Sequence, residues 1–347
     1  DDQKPFLHVD AIDTFNLLKE KGKTGYFEEL IQKYLLENTH GSIVVIKPEK
    51  GRTARMDQEL HEKLQVYKAS LSKEEVEEIA AKTADLIAYQ EEPSTQEELE
   101  TIPVLEVKDI STEIAPIYNR EIKYGDTLMV HHGVETNGIG YVDVMFDLSQ
   151  VPAKMLPYVG ILQGVLGIID TTHYEYGELF NEINVHTGGI GTSLELYPDV
   201  TKVKEKEFKA TFEIKAKALY HKLPVAFDMI KEILMESKLD DEKRLKEILD
   251  MILSRLQMKF TSSGHTTAAL RAMAYASPLS KFKDMTSGID YYKKVNAIAE
   301  HFEEEKDTLI QNLKALCRML FRGENMMISY TSAEEGLVGM ETMILEL

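Results

Sequence analysis

The sequence predicts an α+β fold, an antiparallel sheet of about six strands with helices packed on one face, preceded by a helical hairpin linker. Three observations carry this. Short strand patterns come in pairs between blocks of helical pattern, and the βαβα alternation of a doubly wound parallel sheet is absent. The clearest strand, Phe208 to Tyr220, alternates Phe208, Ala210, Phe212, Ile214, Ala216 and Ala218 with Lys209, Thr211, Glu213, Lys215 and Lys217, giving one buried and one wet face. A closing unit of amphipathic helix, polar turn and apolar strand occurs twice, ending once in Ile43-Val44-Val45-Ile46 and once in Met326-Met327-Ile328-Ser329-Tyr330, which suggests the ends of two related domains.

In chain order, residues 6 to 48 read as one or two helices parted at Gly22 and Gly25, followed by the strand 43–46. Three elements cannot bury both faces of that strand, so residues 1–51 read as the C-terminal end of a preceding domain, and a chain starting at Asp1 reads as a fragment. Residues 52–110 read as a connector. Met56, Leu60, Leu64 and Tyr67 recur at helical spacing, and Ser72 with Glu75 forms a capping box before a second helix.

A second domain, residues 111–333, opens with strands at Ile117 to Lys123 and Leu128 to His132, and then one at Ile139 to Leu148 after the turn Thr136-Asn137-Gly138. A largely apolar helix after Pro152 and Pro157 is read as buried, and a helix over 175–186 stops at Gly188-Gly189 before a strand over 190–197. Helices from Pro224, over 240–258 and over 265–276, a loop around Pro278 to Gly288, a helix over 291–302 and the closing helix and strand complete it. Residues 334–347 read as the start of a connection to an absent fourth domain.

The composition narrows the function. Forty basic against 59 acidic residues give a net charge of -19, which opposes nucleic acid and anionic lipid and would attract basic peptides. No apolar run reaches 18 residues and no secretory leader opens the chain, so a cytoplasmic setting without membrane contact is expected. The single Cys317 excludes an internal disulfide framework; beside Leu313, Leu316, Leu320 and Phe321 it reads as a structural thiol.

No constellation outweighs its structural reading. His131, His132 and Glu135 are zinc-type ligands, but adjacent strand residues point to opposite faces. Gly188-Gly189-Ile190-Gly191 follows a helix and precedes a strand, the reverse of a phosphate-cradling loop, so it reads as a helix cap and turn. Ser262 or Ser263 reads as the cap of the helix that follows. Neither His-x-x-Glu-His nor a P-loop occurs, so no catalytic, cofactor-binding or metal-ligating residue is assigned.

The segment from Glu135 to Leu148, reading Thr136-Asn137-Gly138-Ile139 and ending Phe146-Asp147-Leu148, resembles the pitrilysin/insulinase zinc metallopeptidases, specifically their presequence protease branch. Thr187-Gly188-Gly189-Ile190, Ser263-Gly264-His265 with Ala268-Ala269-Leu270-Arg271, and Gly288-Ile289-Asp290-Tyr291 follow in the family's order. The resemblance implies four homologous domains closing around an unfolded peptide, with zinc held by His-x-x-Glu-His in the first. It also implies an Arg-x-x-Gly-Gly-x-Tyr clamp in the fourth, and here Val185 and Gly191 stand where its Arg and Tyr should be. The chain is therefore expected to be a noncatalytic internal portion of a zinc metalloendopeptidase, contributing chamber wall and linker. Zinc would belong to the full-length parent, with none in this chain, and the partners would be unfolded peptides and the remaining domains. The alternatives are a free-standing noncatalytic scaffold of the same fold and a metal enzyme using His131, His132 and Glu135.

Overall fold

A computed structural model of the chain describes residues 4–7, 9, 11–113, 116–202 and 207–347. Contacts divide the chain into two compact units, Asp1–Ile110 and Ser111–Leu347.

The first unit is helical. Helices α1 (Ile12–Gly22) and α2 (Tyr26–Ile31) are parted where Gly25 takes φ 78°, a left-handed conformation glycine adopts without steric cost, and one π turn, Gln32–Leu36, follows. The expected strand at 43–46 does not form. Ile43, Val44, Val45 and Ile46 are 94, 78, 73 and 88% exposed, because a strand needs a ladder partner for its backbone and no described residue supplies one. Helices α3 (Arg52–Ser70), α4 (Lys73–Glu91) and α5 (Gln96–Glu100) come next. The Ser72/Glu75 capping box forms: Glu75 N–H donates to Ser72 Oγ at 3.2 Å and Ser72 N–H to Glu75 Oε2 at 2.7 Å. No residue of α1 to α5 is buried.

The second unit has the expected α+β fold. Its strands are β1 (Asn119–Tyr124), β2 (Thr127–Gly133), β3 (Ile139–Asp147), β4 (Ile190–Pro198), β5 (Phe208–Leu219) and β6 (Met326–Ser332), arranged β1-β2-β6-β3-β5-β4. Every pair is antiparallel except β2–β6. That parallel pair departs from the purely antiparallel expectation, and the long helical excursion between β5 and β6 supplies the crossover it requires. The helices are α6 (Leu156–Val165), α7 (Tyr176–His186), α8 (Leu223–Met235), α9 (Glu242–Ser262), α10 (Gly264–Met273), α11 (Pro278–Ser287), α12 (Ile289–Glu300), α13 (Phe302–Leu320) and α14 (Met340–Glu346).

Helix α11 replaces the expected loop at 278–288. Ser277 Oγ accepts the Ser280 N–H, Pro278 sits in the first turn, and Phe282, Asp284 and Thr286 are buried. At the α9–α10 junction, Ser263 contributes its carbonyl rather than its hydroxyl, accepting from Thr266 and Thr267, so the expected serine side-chain cap is not made. Residues 334–347 fold back, burying Met340, Met343 and Ile344, with α14 against α8 and β1.

The core lies between one sheet face and the helices. Val142, Val144, Phe146, Phe212, Ile214, Ile328 and Tyr330 from the sheet join Val159, Leu162, Ile230, Ile233, Leu309 and Leu313 from α6, α8 and α13. Cys317, half-buried, packs against this core, and burial pushes its thiol up to about 12. Among the described residues no helix is long and apolar enough to cross a membrane.

Candidate functional site on the bare sheet face

Strand alternation gives the sheet its second face. The registers place Tyr141 and Asp143 of β3 opposite Lys217 and Lys215 of β5 and opposite Thr331 and Ser329 of β6. On the other side of β5, Lys215 pairs with Gly191 and Glu213 with Ser193 of β4. These side chains project away from the helix-covered core, and Tyr141, Tyr197, Lys209, Lys215 and Lys217 are exposed.

A cavity of about 570 Å³ opens on this face, lined by Tyr141, Asp143, Lys215, Lys217 and the Gly188–Gly191 segment. A second cavity of about 320 Å³ shares Tyr141, Gly188 and Lys217 with it, so the two run together as a groove. The glycine segment follows α7 and precedes β4, in the order the sequence indicated, and Gly189 takes φ 118°. Gly188 closes onto the stem of Lys217, where an added Cβ would lie 2.8 Å from both Cγ and Cε.

Asp143 and Lys215, which line this groove, belong to a charged cluster on the same face. Lys215 Nζ lies 3.6 Å from Asp143 Oδ2, 3.1 Å from Glu195 Oε1 and 3.0 Å from Glu213 Oε2. Glu213 is fully buried, although alternation had placed it on a wet face, and its Oε1 accepts from Tyr197 Oη at 2.7 Å and Thr211 Oγ1 at 2.6 Å. Tyr197 and Lys215 fold over it, so its face is the outer one while its position is interior. Burial drives the Asp143 carboxyl up, the negative charge of Glu213 adds to the effect, and it reaches about 7. Burial also pushes Glu213 upward, but hydrogen bonds from Thr211, Tyr197 and Lys215 hold it below the usual carboxylate range.

The two histidines lie on opposite sides of β2, as strand geometry required. His131 is buried, its Nε2 3.1 Å from both Ser332 O and Ser332 Oγ. His132 occupies the bare face, with Nδ1 2.6 Å from Asn119 Oδ1 and Nε2 3.0 Å from Ser329 Oγ. Their positions do not fit a zinc centre, and among the described residues no group of three His, Cys, Asp or Glu could hold a metal ion.

Two of the sequence motifs fold into one structural staple. The Arg271 guanidinium reaches the buried Asp284 carboxylate and lies 2.8 Å from Asp290 Oδ1, while the Ile289 N–H donates to Asp284 Oδ1 at 2.9 Å. Gly288 permits this, since a Cβ there would lie 2.6 Å from Asp284 Oδ1. Arg271 of α10, Asp284 of α11 and Asp290 of α12 are thereby tied together, away from the bare face.

Comparison with known proteins gives a consistent pattern. The family described as Peptidase M-16C associated matches residues 46–298. Protein HypA of Clostridium perfringens is 34% identical over 96% of this chain and 34% of its own length. Presequence protease 1, chloroplastic/mitochondrial, of Arabidopsis thaliana is 23% identical over 99% of this chain and 32% of its own. The mitochondrial presequence protease of Xenopus laevis is 26% identical over 92% of this chain and 30% of its own. The chain spans about a third of the length of these curated relatives.

Proposed function

This chain belongs to the Peptidase M-16C associated family, and from that membership we propose that it is the noncatalytic internal portion of a zinc-dependent metalloendopeptidase that degrades unfolded peptides in a closed chamber. Residues 1–51 would end a preceding homologous domain, 52–110 would link the halves, 111–333 would be a complete noncatalytic domain, and 334–347 would begin the connection to a fourth. The observation that carries this reading is the sheet itself: helices cover one face and the other presents a groove, the form a wall needs to bury its core and still meet a substrate.

The partners on this reading are unfolded peptides and the remaining domains of the same polypeptide, with zinc bound in another domain. The single half-buried thiol suits a reducing, cytoplasmic setting. Extended peptide lying on the bare face would present backbone groups to Ser329 and Thr331 and side chains to Tyr141 and the charged cluster.

The test is hydrolysis of an unfolded peptide by the isolated chain supplied with zinc, beside the complete polypeptide. The isolated chain should give no cleavage, and the complete polypeptide should give cleavage that a chelator abolishes. Chelator-sensitive cleavage by these 347 residues alone would overturn the proposal.

A further inference from the structure

Resting on the peptide-wall reading, we propose that the groove between Tyr141 and the Gly188–Gly191 segment binds an extended peptide through an acidic side chain, whose carboxylate meets the ammonium groups of Lys217 and Lys222.

The charge of the groove runs against the charge of the chain. The sequence carries 59 acidic and 40 basic residues, yet the titratable side chains lining the cavity of about 320 Å³ are Tyr141, His186, Lys217 and Lys222, with no carboxylate. In the adjoining cavity Lys215 is balanced by Asp143, Glu195 and Glu213. The uncompensated charge of the groove is therefore positive and sits at Lys217 and Lys222. Among the described residues the Lys217 ammonium has neither an ion pair nor a side-chain hydrogen bond.

Both lysines are held in place, unlike a lysine that waves in solvent. The Lys217 stem lies against Gly188, which has no room for a side chain of its own. Lys222 Nζ lies 2.9 Å from His186 Nδ1, and His186 Nε2 lies 3.4 Å from Glu182 Oε2. An ammonium can only donate, so the imidazole accepts from Lys222 and turns its own N–H toward Glu182. Lys222 is half-buried there and keeps two further N–H donors. Tyr141, the cross-strand neighbour of Lys217, adds a hydroxyl without a partner among the described residues. Tyr141 and Lys217 line both cavities, so they stand where the two meet. A carboxylate bound there lies in mid-groove, which selects a side chain over a chain end. Val185 and Leu219, both exposed, border the same cavity as Lys217 and Lys222. In an extended peptide the residues two positions from the acid share its side of the strand, so apolar ones would meet these walls.

The experiment is calorimetric titration of the whole chain, in low salt, with acetyl-Val-Ala-Glu-Ala-Val-amide and with its glutamine counterpart, neutral but equal in shape. The glutamate peptide should bind about tenfold more tightly. Lys217→Met, which keeps the stem against Gly188, should abolish that preference, and Lys222→Met should weaken it. Lys209→Met, on the same strand but lining neither cavity, should leave it intact. Equal affinity for the two peptides, or failure of both to bind, would overturn the proposal. A preference that survives Lys217→Met, is untouched by Lys222→Met or disappears equally in Lys209→Met would overturn it too. So would tighter binding of acetyl-Val-Ala-Gln-Ala-Val with a free C-terminal carboxylate, which would make the chain end the ligand. The hydrolysis experiment decides the chamber reading separately.

Discussion

The Asp143 carboxyl, lifted from 3.8 to about 7 by burial and then by the charge of Glu213, keeps a proton that the unfolded chain releases. The folded state therefore binds more protons than the unfolded state between those two values, and its stability falls as pH rises from about 4 to about 7 before levelling off. Glu213 works in the opposite sense and in a lower window. Its lowered carboxyl contributes stability above 4.5 that is lost as pH falls through its folded value. Asp143→Asn removes only the first effect. The melting temperature of the variant relative to the parent should therefore rise from pH 5 to pH 7 and stay constant above pH 8, followed by circular dichroism. Parallel melting curves across that range would show that Asp143 shares no proton in the fold. The sequence could not reveal this pair. Alternation along β3 and β5 put Asp143 and Glu213 on the outer face, but alternation reports the face of a strand and not the depth at which its neighbours leave a residue.

At the scale of elements, helix contacts depend on glycines that spacing alone does not interpret. Gly160 of α6 meets α11 so closely that a Cβ would lie 2.4 Å from the Thr286 carbonyl oxygen and 2.8 Å from the Tyr291 ring. Alanine is favoured over glycine inside a helix by about 1 kcal/mol, but here the obstacle is backbone, which cannot swing aside as a side chain can. Overpacking of this kind costs about 1–3 kcal/mol. Gly160→Ala should therefore lower the melting temperature by about 2–10 °C, whereas Gly177→Ala in α7, where an added Cβ meets nothing within 4 Å, should leave it unchanged or raise it. An unchanged Gly160→Ala protein would show that α6 and α11 do not approach this closely. Helix α11 itself was illegible as a helix because its signals are local: Ser277 and Pro278 resemble a turn, and its buried residues include Ser280, Asp284 and Thr286, which no apolar stripe picks out. The amphipathic α8 and α13 and the alternating β3 and β5 were legible because one apolar face determined each. The strand order was not legible. Placing β6 between β2 and β3 depends on long-range pairing, and the sequence of each strand encodes its faces, not its neighbours.

At the scale of the whole molecule, the two units differ in what holds them together. All described side chains that are fully buried belong to the second unit, and none of α1 to α5 contributes one. In the first unit, caps and pairs along one helix face do the work, as in the Ser72/Glu75 box and the Lys82–Glu78 pair at 2.7 Å. Helices in proteins draw most of their stability from packing an apolar face against a neighbour. Phe15, Phe27, Tyr34, Leu35 and the extended Ile43–Ile46 segment form such surfaces without a covering partner among the described residues. Hydrogen exchange on the isolated chain should therefore separate the units. Amides of α3 and α4 should exchange at least about a thousandfold faster than those of β3 and β5, which open only with the global unfolding of the second unit. If residues 1–51 end a domain whose body lies elsewhere in the polypeptide, the same measurement on the complete protein should raise protection at Ile43–Ile46, where backbone amides would enter a ladder. Fast exchange at Ile43–Ile46 in the complete protein would remove the argument that these residues close a preceding domain. Equal protection of both units in the isolated chain would show that more than caps and pairs along single helices holds the first unit together.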